Sequence, residues 1–366
     1  MLRYTWIIIL SCVSNFGISQ EAPKKEEPVK YYGREYFLIE GTDIPETEKE
    51  SPYDRLPASY KEKVRPPVWD LSKNSAGISV RFLSNSSLVK VKWDLLNDSK
   101  MNHMAETGIK GIDLYCKVNG NWKYINTGRP TGKENEALLV STLPSVMREY
   151  RLFLPLYDGV TRLEVGIDSL SKIEKPAAGK YLPVVFYGTS ITQGGCASRP
   201  GMAYSNIISR KLNVDCINFG FSGNGRMEAP IVDLMTATPA SFYVIDCVPN
   251  MNVEEIQKNV MPLVETIRAK HPNTPIVFVE NIKYTMSFFE EKVNNNINAK
   301  NSALRTEYDK LLRKGVQNLV YIDNKNAIGD DNESTVDGVH LTDLGFMRFA
   351  DYLLLKFKLN KLRLRE

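Results

Sequence analysis

Between residues 78 and 165 apolar and polar side chains alternate in short runs, at 78–83, 88–95, 111–118, 122–125, 150–156 and 160–165. A period of two puts every second side chain on one face, so these runs predict strands. Ser84-Asn85-Ser86-Ser87, Asn119-Gly120-Asn121 and Asp158-Gly159 separate them, and Asn119-Gly120 is the dipeptide that a tight hairpin favours. Strands without long helices between them predict an all-β sandwich over 31–170. Segment 40–67, rich in Pro, Glu and Lys, is expected to be irregular and to lie over the surface.

After a linker at 171–181 the period changes. Strand-like, largely apolar runs at 184–187, 215–219, 243–247, 276–280 and 319–322 alternate with amphipathic stretches at about 202–212, 227–236, 253–270, 288–314 and 343–358. This alternation predicts an α/β domain over 182–366, a parallel sheet with helices on both faces whose strand-end loops all open on one side. A chain of 366 residues exceeds what one core usually supports, in keeping with two domains.

A formal net charge of +4 without a basic stripe points to neither nucleic acid nor an anionic membrane as partner. Met1-Leu2-Arg3, the apolar stretch from Trp6 to Leu10 and Gly17-Ile18-Ser19 predict a secretory signal over 1–20, followed by a flexible spacer at 21–30. The apolar run is too short to span a bilayer, so the expected destination is secreted or periplasmic. Lipidation at Cys12 is disfavoured, because Leu10 stands where a small residue is usual. Of the other cysteines, Cys116 and Cys216 lie in strand-like runs. Cys196 and Cys247 both fall just past strand ends on one sheet face and form the candidate disulfide.

Four strand-end loops carry candidate chemistry. Ser190, in Gly188-Thr189-Ser190 after the first apolar run, is a candidate nucleophile, although Thr189 and Ser190 also suit a helix cap. A serine needs a base, and the base needs an orienting group. Of the three histidines, His271 sits at a predicted helix end and His103 in the other domain; His340 remains, with Asp337 one turn earlier. An Asp-x-x-His turn before a helix is the structural alternative. Developing negative charge on an ester oxygen needs donors, which the backbone N–H groups of Ser190 and Gly223 and the amide of Asn250 can supply. Turn geometry explains Gly223 equally well, and an Asx-turn explains Asn250. Thr189, Arg199 and Met251 are candidate substrate contacts, with a surface ion pair as the alternative for Arg199. His, Cys and carboxylates never gather at ligand spacing, so no metal site is expected, and no nucleotide motif appears.

Gly188-Thr-Ser190-Ile-Thr192, Gly220-Phe-Ser-Gly223-Asn-Gly225, Asn250 and Asp337-Gly-Val-His340 resemble the four blocks of the SGNH (GDSL-type) hydrolases. The resemblance covers about 182–358 and departs from the usual third block at Pro249 and Met251. It implies a flavodoxin-like three-layer α/β/α domain, Ser190, His340 and Asp337 as catalytic residues, and Ser190, Gly223 and Asn250 as oxyanion hole. Gly111-Ile-Asp-Leu-Tyr115, with 154–160, is similar to the jelly-roll-like sandwich that precedes a bacterial SGNH esterase subgroup. This implies a serine esterase acting without cofactor on a short acyl ester, acetyl foremost, of a carbohydrate. A lysophospholipase or thioesterase with the same residues, and a glycan-binding protein without catalysis, are the competing readings.

Overall fold

The computed structural model describes residues 28–366; the expected signal, most of the spacer and Cys12 lie outside the described residues. The first half contains β1 (Val29–Tyr32), β2 (Leu38–Glu40), α1 (Pro66–Ser72), β3 (Ser79–Ser84), β4 (Val89–Leu95), α2 (Glu106–Ile109), β5 (Ile112–Val118), β6 (Asn121–Gly128), β7 (Glu134–Val140), β8 (Arg148–Phe153), β9 (Val160–Asp168) and β10 (Ile173–Glu174). They pair into two antiparallel sheets, ordered β1-β9-β4-β7 and β10-β3-β8-β5-β6, with β2 added to β3. Alternate residues of both sheets, among them Phe82, Val91, Trp93, Leu114, Tyr150 and Val165, are wholly buried between them, as a sandwich requires. Asn119 and Gly120 turn the β5–β6 hairpin with φ of 50° and 79°, the left-handed values that favour these two residues.

Three local expectations change. Val29 and Lys30, expected at the end of the spacer, already pair with Asp168 and Ile167. Strand β7 was not foreseen: Glu134, Asn135, Glu136 and Ala137 are poor strand formers, and the sheet recruits them as a charged edge. Segment 40–67 is irregular but does not merely cover the surface. Tyr53, Arg55 and Leu56 are buried, and the Arg55 guanidinium donates to the carbonyls of Leu71, Asn74, Asn218 and Gly220.

The second half holds the parallel strands β11 (Val184–Gly188), β12 (Cys216–Gly220), β13 (Phe242–Asp246), β14 (Ile276–Val279) and β15 (Leu319–Ile322), ordered β12-β11-β13-β14-β15. Helices α3 (Ser190–Gln193), α4 (Tyr204–Leu212), α5 (Ala229–Met235), α6 (Val253–Lys270), α7 (Met286–Phe289), α8 (Glu291–Arg313) and α9 (Asp343–Leu359) connect or follow them. Val184 and Phe186 of β11 face α4 and α9 on one side, whereas Val185 and Tyr187 face α5, α6 and α8 on the other. Strand order reverses at β11, the switch point at which such sheets open a crevice beyond the carboxyl ends of their strands.

That layering corrects the expected disulfide. Cys196 belongs to the core on the α4 and α9 side, Cys247 to the core on the opposite side, and both are free thiols. The sheet stands between them, and the Cys247 thiol instead donates to the Tyr187 carbonyl.

Candidate active site

Ser190 is the first residue of α3, immediately beyond β11. Thr189 caps that short helix: its hydroxyl accepts from the Ile191 N–H at 3.3 Å, while the Thr192 hydroxyl accepts from the Thr189 N–H. Beneath it Thr192 and Tyr204 donate to the buried carboxyl of Asp246 at 3.1 and 3.0 Å, and burial pushes Asp246 up to about 7. The turn is therefore held from below by a polar network on three elements. Gly188 has no room for a side chain: a Cβ would lie 1.9 Å from the Thr192 hydroxyl oxygen.

The Ser190 hydroxyl lies 2.9 Å from Nε2 of His340, and Nδ1 of His340 lies 2.8 Å from Asp337. The other Asp337 oxygen accepts from the backbone N–H groups of Val339 and His340, at 3.0 and 2.7 Å. Burial alone would raise Asp337, but these hydrogen bonds outweigh it and hold the carboxyl at about 2. Asp337 is thus ionised at neutral pH and fixes the imidazole with a hydrogen on Nδ1 and a lone pair on Nε2, toward the serine.

Ser190, Gly223, Asn250 and His340 line one cavity of about 470 Å3. The Ser190 and Gly223 N–H groups have no protein acceptor among the described residues. Asn250 Oδ1 accepts from the Gly225 N–H at 3.2 Å, which turns the amide hydrogens toward the cavity. Gly223 has φ of 68° and no neighbour within reach of a Cβ, so backbone conformation and not space calls for glycine there. Asn281, Tyr284, Asn296 and Lys300 add polar groups to the wall, and Ile191, Val293, Ile297 and Val339 add apolar ones. Asn281 is 1% exposed and its Oδ1 lacks a partner, a free acceptor at the wall; burial lowers the Lys300 ammonium from its ordinary range.

A model of the GDSL-like lipase/acylhydrolase family matches residues 181–358, and a model of the GxDLY N-terminus of SGNH-hydrolase-type esterases matches residues 29–173. A solved structure from Bacteroides ovatus, described as a GDSL-like lipase, is 33% identical and aligns over 93% of this chain and 100% of its own with a TM-score of 0.87. The chain belongs to the GDSL-like, or SGNH, hydrolases. It is accordingly a carboxylic ester hydrolase. The salicylyl-acyltransferase SsfX3 of a tetracycline biosynthetic pathway shares the fold at 16% identity, with coverage of 92% and 99% and a TM-score of 0.77. A family two carbohydrate esterase from Clostridium thermocellum does so at 17% identity, with coverage of 78% and 93% and a TM-score of 0.55. No curated protein sequence matches significantly.

Within this SGNH hydrolase the three expected substrate contacts lie elsewhere. Thr189 is fully buried as the helix cap, and Met251 packs in the core behind the sheet. Arg199 reaches into the sandwich, donating to Asp113 at 2.7 Å and to the Tyr115 hydroxyl at 2.6 Å, with its guanidinium 3.9 Å from the centre of the Tyr124 ring. Asp113 is wholly buried and also accepts from Thr127 and the Gly201 N–H. A carboxylate in that setting needs a cation, which is why Arg199 points inward. The Asp and Tyr of Gly111-Ile-Asp-Leu-Tyr115 therefore grip the loop that follows the serine.

Two further residues were not legible in the sequence. The Tyr157 hydroxyl of the sandwich donates to the Ser190 carbonyl at 3.4 Å. His103, also of the sandwich, has its ring centre 5.8 Å from that of His340. Donor atoms of His103, Cys196, Asp337 and His340 lie within 4.8 Å of one another, a ligand-type cluster that the sequence reading does not expect. Four positions drawn from three separate stretches of chain carry no spacing signal.

Among the described residues no helix is long and apolar enough to cross a membrane.

Proposed function

We propose that the protein is an exported serine esterase that removes short acyl groups, acetyl foremost, from a carbohydrate. Ser190 attacks the ester carbonyl as its proton passes to His340 Nε2, and Asp337 steadies the resulting imidazolium. The oxyanion is received by the N–H groups of Ser190 and Gly223 and the amide of Asn250. His340 then gives its proton to the departing sugar oxygen, and water, activated by the same imidazole, releases the acid from the acyl-serine.

The observation that carries this reading is the hydrogen-bonded relay from Asp337 through His340 to Ser190, opening on a cavity where Asn250, Asn281, Asn296 and Lys300 stand among apolar side chains. The carboxamides and the lysine offer partners to a hydroxyl-rich substrate. Two structural relatives are carbohydrate esterases, the Clostridium thermocellum protein and an acetyl xylan esterase of Butyrivibrio proteoclasticus, which supports the substrate class through shared fold. The apolar start of the chain supports export.

One feature favours a longer acyl chain. Phe288 and Phe289, each 75% exposed, follow closely in sequence on Tyr284, which lines the cavity. Acetate release from acetylated polysaccharides, set against hydrolysis of acetyl, butyryl and octanoyl p-nitrophenyl esters, separates the readings. Turnover is expected to fall with chain length; a maximum at octanoyl without acetate release from any polysaccharide refutes the proposal. Ser190→Ala is expected to lower p-nitrophenyl acetate turnover by about 10³ or more while the protein stays folded.

A further inference from the structure

His103 lies in the loop between β4 and α2, and its exposed ring hydrogen-bonds through Nδ1 to its neighbour Asn102 at 3.0 Å. It leans over His340 at 48° between ring planes. Cys196 stands on the turn that follows Ser190. It is a free thiol, 7% exposed, with φ of 72°, a left-handed conformation that a side-chain-bearing residue other than Asn or Asp adopts uncommonly. The preceding Gly195 leaves space for His340, whose ring carbon would lie 3.3 Å from a Cβ there.

We propose that His103, Cys196, Asp337 and His340 form an inhibitory site for a zinc ion, closed across the junction of the sandwich and the hydrolase domain. Two imidazoles, a thiol and a carboxylate are a mixed nitrogen, sulfur and oxygen set, which suits zinc and excludes magnesium or calcium, whose sites are built from oxygens. Tetrahedral bonds of about 2.0–2.3 Å set donors roughly 3.3–3.8 Å apart. The four donor atoms here lie within 4.8 Å of one another, so about 1 Å of closure completes the site. His103 supplies it at little cost, being on a loop and not buried.

Charge and protons balance. Cys196 binds as thiolate and releases its proton to solvent, Asp337 is already ionised and both imidazoles enter neutral, so the doubly positive ion meets two negative ligands. The ion takes a hydrogen-free ring nitrogen of His340, either Nε2 or Nδ1 once its hydrogen has moved to Nε2, and in both cases the imidazole no longer takes the serine proton. The inhibitory consequence rests on the serine-esterase reading, whereas ion binding does not.

The test uses the chelator-treated full-length protein. Cobalt(II), a spectroscopic substitute for zinc, is expected to give the visible bands of a tetrahedral site and a thiolate-to-metal band in the near ultraviolet that Cys196→Ser loses. Zinc chloride is expected to suppress p-nitrophenyl acetate hydrolysis and a chelator to restore it. His103→Ala is expected to keep basal turnover within about twofold and to need at least ~10-fold more zinc, since even groups behind the ligands contribute 10–100-fold to affinity. Absence of the tetrahedral cobalt spectrum, persistence of the thiolate band in Cys196→Ser, or equal zinc sensitivity of His103→Ala and the parent each overturns the proposal. An inactive parent that gives the cobalt spectrum would overturn the esterase reading and leave the metal site standing.

Discussion

Asn250 offers the sharpest test of how the cavity handles charge. Its Oδ1 is tied to the Gly225 N–H, leaving the amide hydrogens beside the free N–H groups of Ser190 and Gly223. Asn250→Ala removes one of three donors from the developing oxyanion. That is expected to lower kcat by about 10²–10³, or ~2.7–4 kcal/mol. The same change loses one neutral hydrogen bond to Gly225, about 1 kcal/mol of stability, so the melting curve moves only slightly. Asn250→Asp keeps the volume and the Gly225 contact but turns a carboxylate oxygen toward the oxyanion. At ~4 Å and an effective dielectric constant of ~20, two such charges repel by ~4 kcal/mol, so aspartate should be worse than alanine. Steady-state kinetics with p-nitrophenyl acetate, kcat and KM taken separately, give the order asparagine, alanine, aspartate in kcat. A kcat for Asn250→Ala within about fivefold of the parent, or a loss confined to KM, refutes the assignment.

Gly223 has the opposite dependence on side-chain size. With φ of 68° and no neighbour near a Cβ, Gly223→Asn is expected to retain more activity than Gly223→Ala, since asparagine tolerates the left-handed region; the reverse order in kcat would contradict this. Arg199→Ala leaves the buried Asp113 without its cation and is expected to cost about 3–5 kcal/mol of stability in denaturant unfolding; a stable variant with a raised KM would instead restore Arg199 to the substrate. Asp246, pushed up to about 7 by burial, holds a proton in the folded protein that the unfolded chain loses near pH ~3.9. Its contribution to stability therefore falls as pH rises from about 4 to 7. Asp246→Asn keeps an acceptor for Thr192 and Tyr204, so the melting temperature of the variant relative to the parent is expected to rise between about pH 4 and 7; parallel curves refute the buried-proton argument.

The sequence carries the meeting of Ser190 with His340 plainly. Both stand in unusual loops of a βα alternation, and a parallel sheet sends all such loops to one side. Helix α6 and strand β15 were legible to the residue because their apolar spacing is regular and their ends are marked, by Asn252 and its capping partner Glu255 for α6. What failed depends on which way a side chain turns once layers pack. Cys196 and Cys247 share a strand-end position but face opposite cores. Arg199 and Met251 neighbour the reactive loops in sequence yet point away from the cavity, toward Asp113 and the back of the sheet. His103 gave no signal, since nothing in a methionine-flanked loop of the other half reveals that it comes to rest over His340.

The inward guanidinium of Arg55 has a consequence for anyone who would treat the halves as interchangeable parts. It caps the carbonyls of Asn218 and Gly220, at the strand end from which the Gly223 loop departs, so the hydrolase half excised alone would expose unpaired backbone beside the cavity that Ser190 and His340 line. A graft carrying the sandwich of a distant relative would have to bring an equivalent of this arginine, and of the Asp113 and Tyr115 pair, before the transplanted enzyme could be expected to turn over.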